Sequence, residues 1–157
     1  MEHEDYMRQA LALAQEAARA GEVPVGCVIV RDDRVIGRGR NRRETDRDPL
    51  AHAELLAIAD ACRTVGDWRL TGARLYVTLE PCPMCAGGII SARIPEIYYG
   101  AKDAGFGACG SVLNLFEEDF RHHPKIVGHI LEAECAGLLS GFFSGVRKND
   151  PENLTLL

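Results

Sequence analysis

The sequence predicts an α/β fold: a mixed sheet with helices on both faces. Segments of strand character alternate with segments of helical periodicity. The first two strands are separated only by Asp32-Asp33, a turn signal that makes them an antiparallel hairpin. Val25 to Val30 is an almost unbroken apolar run, as in a strand covered on both faces. With 157 residues, residues 1–157 form one domain long enough to bury a core.

Residues 4–20 read as an amphipathic helix. Tyr6-Met7, Ala10-Leu11, Ala14 and Ala17-Ala18 recur at helical spacing, and Gly21 ends it. The hairpin follows, Val25 to Val30 and Arg34 to Arg40, then a polar loop from Asn41 to Pro49. Ala51 to Val65 is a helix, apolar almost all round and therefore largely buried. A strand over Arg74–Leu79, a short helix opening near Pro83 and a strand over Glu96–Tyr99 come next. A glycine-rich loop runs from Gly100 to Gly110, a short strand covers Ile126–His129, and a last helix starts near Glu132. Residues 148–157 form a tail to which no element is assigned. In such folds ligands collect at the carboxyl ends of strands and the starts of the helices that follow.

No apolar run approaches the roughly 20 residues of a membrane span. The start, Met1-Glu2-His3-Glu4-Asp5, lacks the basic and apolar stretches of a signal peptide, so a cytoplasmic protein without a membrane partner is expected. Six cysteines in that setting favour metal ligation or free thiols over disulfides. Cys27, Cys62, Cys109 and Cys135 stand among small and apolar residues and read as inert buried thiols. The net charge of -5 speaks against a polyanionic partner, although local distribution matters more. Arg31, Arg34, Arg38, Arg40, Arg42, Arg43 and Arg47 cluster, but with acids interleaved, and a plain solvated face would look the same.

His52-Ala53-Glu54 and Pro81-Cys82-Pro83-Met84-Cys85 each follow a loop and open a helix. Cys82 and Cys85, three apart, share one face of a helical turn. Pro83 suits the first helical position, which makes Cys82 the cap. Three protein ligands, His52, Cys82 and Cys85, with a fourth position open, form the pattern of a catalytic zinc site. No second CxxC or HxxxH exists to close the shell. Two helix N-termini aimed at the site favour thiolate there. Glu54 is then placed to take a proton from an activated water and carry it to a departing nitrogen. Taken singly the pieces are weaker: CxxC also serves redox chemistry, a lone histidine is mostly structural, and a lone glutamate is mostly solvated.

Together they match the HxE…PCxxC signature of the zinc nucleobase deaminases. Flanking segments narrow the likeness: Glu22-Val23-Pro24-Val25-Gly26, Gly39-Arg40-Asn41-Arg42, Leu75 to Gly87, Tyr99 to Asp103, Gly110-Ser111, and Glu134-Cys135-Ala136 with Phe142-Phe143. From about residue 4 to 148 the chain resembles the bacterial tRNA adenosine deaminases of the cytidine/deoxycytidylate deaminase superfamily. The resemblance implies a three-layer α/β/α sandwich with a mixed five-stranded sheet, and a homodimer holding one zinc ion per subunit. It implies conversion of adenosine to inosine at the wobble position, on the anticodon stem-loop of tRNA, with the target base flipped into the pocket. Asn41 matches a base-reading asparagine, Glu22, Val23, Pro24 and Leu79 the pocket mouth, and Asp103 a residue near the ribose of the preceding nucleotide. Ala86-Gly87-Gly88 matches a helix at the dimer contact. Arg40, Arg42, Arg43, Phe142 and Phe143 are the candidate RNA contacts.

The chain departs from the family in three places, one of them the unassigned tail from Asn149 to Leu157, polar and then leucine-rich. Gly105-Phe106 stands where a lysine is common, which removes a phosphate contact. Ser144-Gly145 is expected to interrupt the last helix ahead of Arg147 and Lys148, so the Arg40–Arg43 segment is expected to bear more of the RNA contact. Two other readings remain: a deaminase of a free base such as guanine or cytosine, which the acidic balance favours, and a non-catalytic zinc or redox module, against which Glu54 beside an open coordination position speaks.

Overall fold

A computed structural model describes residues 2–149. Helix α1 covers His3–Arg19, and strands β1 (Gly26–Arg31) and β2 (Arg34–Arg40) form the hairpin. Helix α2 (Ala53–Val65), strand β3 (Arg74–Leu79), helix α3 (Pro83–Ala92) and strand β4 (Glu96–Ala101) follow. A single 3₁₀ turn, strand β5 (Lys125–Val127) and helix α4 (Glu132–Asn149) complete the order. The five strands lie in the order β2-β1-β3-β4-β5. β1 runs antiparallel to β2 and β3, while β3, β4 and β5 are parallel.

Two apolar layers sandwich this sheet. Cys27, Ile29, Leu75, Val77 and Ile97 pack on one face beneath α2 and α3. Val28, Val30, Tyr76 and Tyr98 pack on the other beneath α1 and α4. The alternation along β1 and β3 is the period of two that a sheet covered on both sides requires. The architecture is the expected α/β/α sandwich with a mixed five-stranded sheet. Gly39 on β2 faces the backbone of α2 at Ala53 and Ala57, where any Cβ would collide, so a glycine there seats α2 directly on the sheet.

Three expectations need correction. α2 is fully buried only along Ala53, Glu54, Ala57 and Ala61; Leu55, Leu56 and Ile58 are half-buried, because the helix lies on one face of the sheet with its outer side uncovered. β5 ends at Val127, since Gly128 lies against the Tyr99 ring and His129 takes a positive φ of 68°. α4 is not broken at Ser144-Gly145 but runs on to Asn149. A mid-helix glycine costs about 1 kcal/mol of propensity, which packing of Cys135, Leu138 and Leu139 on the sheet offsets. The side chains of Arg147 and Lys148 and the tail 150–157 lie outside the described residues.

One consequence of the pairing places the site. Gly26 at the start of β1 pairs with Arg40 at the end of β2, and Leu79 at the end of β3 pairs with Ala101 at the end of β4. The antiparallel hairpin thus brings the segments around Val23 and Asn41 to the edge where the parallel strands end and α2 and α3 begin.

Candidate active site and metal centre

His52 is the N-cap of α2 and Cys82 the N-cap of α3, both in extended backbone conformation, with Pro83 in the first turn. Neither side chain bonds back to its own helix end, so both are free to point at a ligand. The donor atoms of His52, Cys82 and Cys85 lie within 4.8 Å of one another. His52 Nδ1 is 3.7 Å from the Cys82 sulfur and 3.6 Å from the Cys85 sulfur. Zinc with N and S donors at about 2.0–2.1 and 2.3 Å and tetrahedral angles demands an N···S separation of roughly 3.5 Å. The donor set therefore fits zinc in kind and in spacing. Among the described residues it is the one such cluster, and it offers three donors, leaving a fourth position open.

Electrostatics support the same use. The hydrogen bond from Cys85, with that to His52, draws the Cys82 thiol down to about 4 against the effect of burial. Cys85 is pushed up, as the donor in that bond and by burial. Hydrogen bonding to Cys82 raises His52. Cys82 is thus drawn towards the thiolate, and a cation would complete the deprotonation of the pair. Glu54 in the first turn of α2 is almost fully buried, and burial lifts its carboxyl to about 7. A carboxyl poised there can both take and return a proton near neutral pH.

A cavity of about 600 Å³ opens over this centre. Its wall includes His52, Glu54, Cys82, Asn41, Val23, Leu79, Asp103, Arg43 and Phe143, so most of the expected site residues meet there. Some do not. Pro24 is buried beside it, and its neighbour Val25 takes the wall position. Arg40 and Arg42 line a separate cleft between β2, α1 and α2, with Arg42 paired to Asp46 at 3.1 Å. Phe142 is absent from the wall and lies edge-on to Phe143, with ring centroids 5.6 Å apart.

Asn41 is anchored by its own loop. Its amide donates to Val23 O at 3.2 Å and accepts from Arg43 N at 3.1 Å. One N–H and one acceptor lone pair stay available for a purine edge. Asp103 Oδ1 accepts from the amides of Gly105 and Phe106 at 3.1 and 3.2 Å, which closes a turn and leaves Oδ2 free.

Two carboxylates are buried against expectation: Glu22, expected at the pocket mouth, and Glu80, which the sequence did not single out. Glu22 accepts from the amides of Glu44 and Thr45 and from the Thr45 hydroxyl, tying down the loop that carries Asn41 and Arg43. Burial pushes this carboxyl up, but the bonds outweigh it and hold it below the usual value. Glu80 accepts from Asp103 N, Cys109 N and Ser111 N at 3.1, 2.9 and 3.1 Å, and from the Ser111 hydroxyl. The signal in sequence was a charge at the end of an apolar strand, two positions ahead of Cys82. Lys102 and Phe106 also line the cavity and were not singled out as site residues.

Comparison with known proteins agrees with this geometry. The family described as the cytidine and deoxycytidylate deaminase zinc-binding region matches residues 1–101. The tRNA-specific adenosine deaminase of Bacillus subtilis (strain 168) is 47% identical over 144 residues, 91% of this chain and 89% of that protein. A structure from studies of A-to-I editing by tRNA:A34 deaminases at the wobble position superposes with a TM-score of 0.83 at 46% identity. It covers 86% of this chain and 99% of that one. A guanine deaminase of B. subtilis is 42% identical with a TM-score of 0.64, over 68% of this chain and 72% of that one. A three-donor cluster that fits zinc, a buried glutamate beside it and these likenesses converge: the chain belongs to the cytidine and deoxycytidylate deaminase zinc-binding family, on the branch of the tRNA-specific adenosine deaminases.

Proposed function

We propose that this chain hydrolyses adenosine to inosine at the wobble position of a tRNA anticodon, as a cytoplasmic homodimer with one zinc ion per subunit. The observation that carries the reading is the cavity itself. It sets His52, Cys82 and Glu54 on its lining, with Cys85 buried beside them, and two cations, Arg43 and Lys102, on its wall, where a free base has no phosphate to offer them. Zinc held by His52, Cys82 and Cys85 would supply a Lewis acid that makes a water nucleophilic at neutral pH. Glu54 takes the proton that this water must lose and delivers it to the amino nitrogen, which leaves as ammonia. Asn41 reads the purine edge with its free N–H and lone pair, while Val23 and Leu79 hold the ring from the mouth of the pocket. Gly87, half-exposed on α3 with open space around it, suits the proposed contact between subunits; Gly88 instead faces Leu55 of the same chain.

The guanine deaminase likeness keeps a second reading in play. Incubation with an anticodon stem-loop, with guanine and with cytosine separates them by mass spectrometry. Exchange of one amino group for oxygen in the RNA is the expected result; exchange in a free base alone would overturn it.

Asp103 is proposed to sense the sugar. Its Oδ2 can accept from a ribose 2′-hydroxyl, the group that distinguishes RNA from DNA. Asp103→Asn keeps an oxygen for the Gly105–Phe106 turn and turns the other atom into a donor. The ratio of activity on RNA to that on single-stranded DNA is expected to narrow several-fold, checked by assaying both substrates with both proteins.

Arg43 makes no ion pair among the described residues, whereas Arg42 is held by Asp46. Each neutralised phosphate adds to the salt slope of binding. Arg43→Ala is therefore expected to weaken stem-loop binding and to flatten the slope by about one unit. Arg42→Ala should do less, as measured by affinity across a salt series.

A further inference from the structure

Phe106 is the most solvent-exposed large hydrophobic side chain among the described residues, at 63%, yet it sits on the wall of the active-site cavity. The backbone beneath it is held firmly. The amides of Gly105 and Phe106 bond to Asp103 Oδ1, Gly107 N bonds to Asp103 O at 2.8 Å, and Ala108 N bonds to Pro81 O at 2.8 Å. Glu80 gathers the amides of Asp103, Cys109 and Ser111 from beneath, and Gly107 packs so closely on that carboxylate that no side chain would fit. A loop tied at this many points displays an aromatic ring to water in a fixed place. Preorganisation of that kind lowers the ordering cost of binding a flat partner.

The target base does not need this ring. Its reacting carbon must lie over the metal donors and Glu54, which is only 4% exposed at the floor of the cavity. What passes the exposed mouth is the nucleotide joined to the target by a single phosphate, and Lys102 on the same wall offers that phosphate a cation. Flipping the target out of a loop also unstacks its neighbour, whose face then lacks a partner. Aromatic side chains meet such faces by stacking, whichever base they belong to.

We infer that Phe106 is a substrate-positioning residue whose ring stacks on the base of the nucleotide flanking the deaminated adenosine. The inference rests on the tRNA deaminase reading and adds a second base subsite to it. The test measures kcat/KM for the wild type, Phe106→Ala and Phe106→Trp. Three stem-loops are used: one intact, one abasic on the 5′ side of the target and one abasic on the 3′ side. On intact RNA, Phe106→Ala is expected to lose roughly 5- to 150-fold, and Phe106→Trp to stay within a few-fold of wild type. On one of the abasic RNAs the wild type should fall to the level of Phe106→Ala, with no further loss from the mutation. An equal loss from Phe106→Ala on all three RNAs, or activity within about twofold of wild type on the intact one, overturns the stacking assignment alone. So does a changed association state of Phe106→Ala in sedimentation, which would place the ring against a second copy of the chain. A wild-type chain that leaves the stem-loop adenosine intact overturns this inference together with the deaminase reading.

Discussion

Replacement of Glu54 by glutamine is expected to remove nearly all turnover while zinc content and fold stay at wild-type levels. Glutamine matches the side chain in shape, so the packing of a buried residue in the first turn of α2 is kept. It can neither accept a proton from water nor hand one to the departing amine. General acid–base groups typically contribute about 10²–10⁴-fold, and this one serves at both ends of the reaction, so a loss at the top of that range is expected. Burial holds the carboxyl near 7 in the metal-free chain, and a neighbouring cation would pull it lower, towards the form that accepts a proton. Steady-state kcat on the stem-loop, with zinc measured on the same sample, decides the matter. More than about a tenth of wild-type kcat in a zinc-loaded variant would refute this role for Glu54.

Cys82→Ser and Cys85→Ser are each expected to strip the chain of zinc and of activity together. A hydroxyl does not ionise at neutral pH and is a far poorer zinc ligand than a thiolate. With three donors from the chain, losing one leaves two, too few for the tetrahedral site. Cys82 is already drawn towards thiolate by Cys85 and His52, so its replacement also removes the negative charge that would attract the ion. Metal analysis after dialysis should fall from about one zinc per chain to near zero. Stoichiometric zinc in both variants would refute the ligand set.

The helices and strands were legible where periodicity is strong. β2 and β3 have the bounds read from the sequence, and α1 differs by one residue at each end. The grouping of His52, Cys82 and Cys85 beside Glu54 was legible because short spacings force side chains onto one turn: the cysteines are three positions apart, His52 and Glu54 two. Glu22 and Glu80 were not. Their partners are backbone amides some 22 to 31 residues away, and nothing in a local pattern announces that a carboxylate will be buried under a distant loop. Ser144-Gly145 misled in the opposite sense. Local propensity argued for a break, and packing of α4 on the sheet decided against it. The arginine segment divided: Arg43 reaches the pocket, while Arg40, at the end of β2, and Arg42, held by Asp46 in the turn that follows, face another cleft.

The convergence of four donors on Glu80 has a consequence for motion. Asp103, Cys109 and Ser111 are far enough apart to fray separately, but their amides share a single acceptor group. Freeing one donor lets the carboxylate rotate and weakens its hold on the others, so the loop opens as a cooperative unit rather than residue by residue. Its amide hydrogens are then expected to exchange with solvent through one common opening, as a small foldon hinged on the strand end that leads to Cys82.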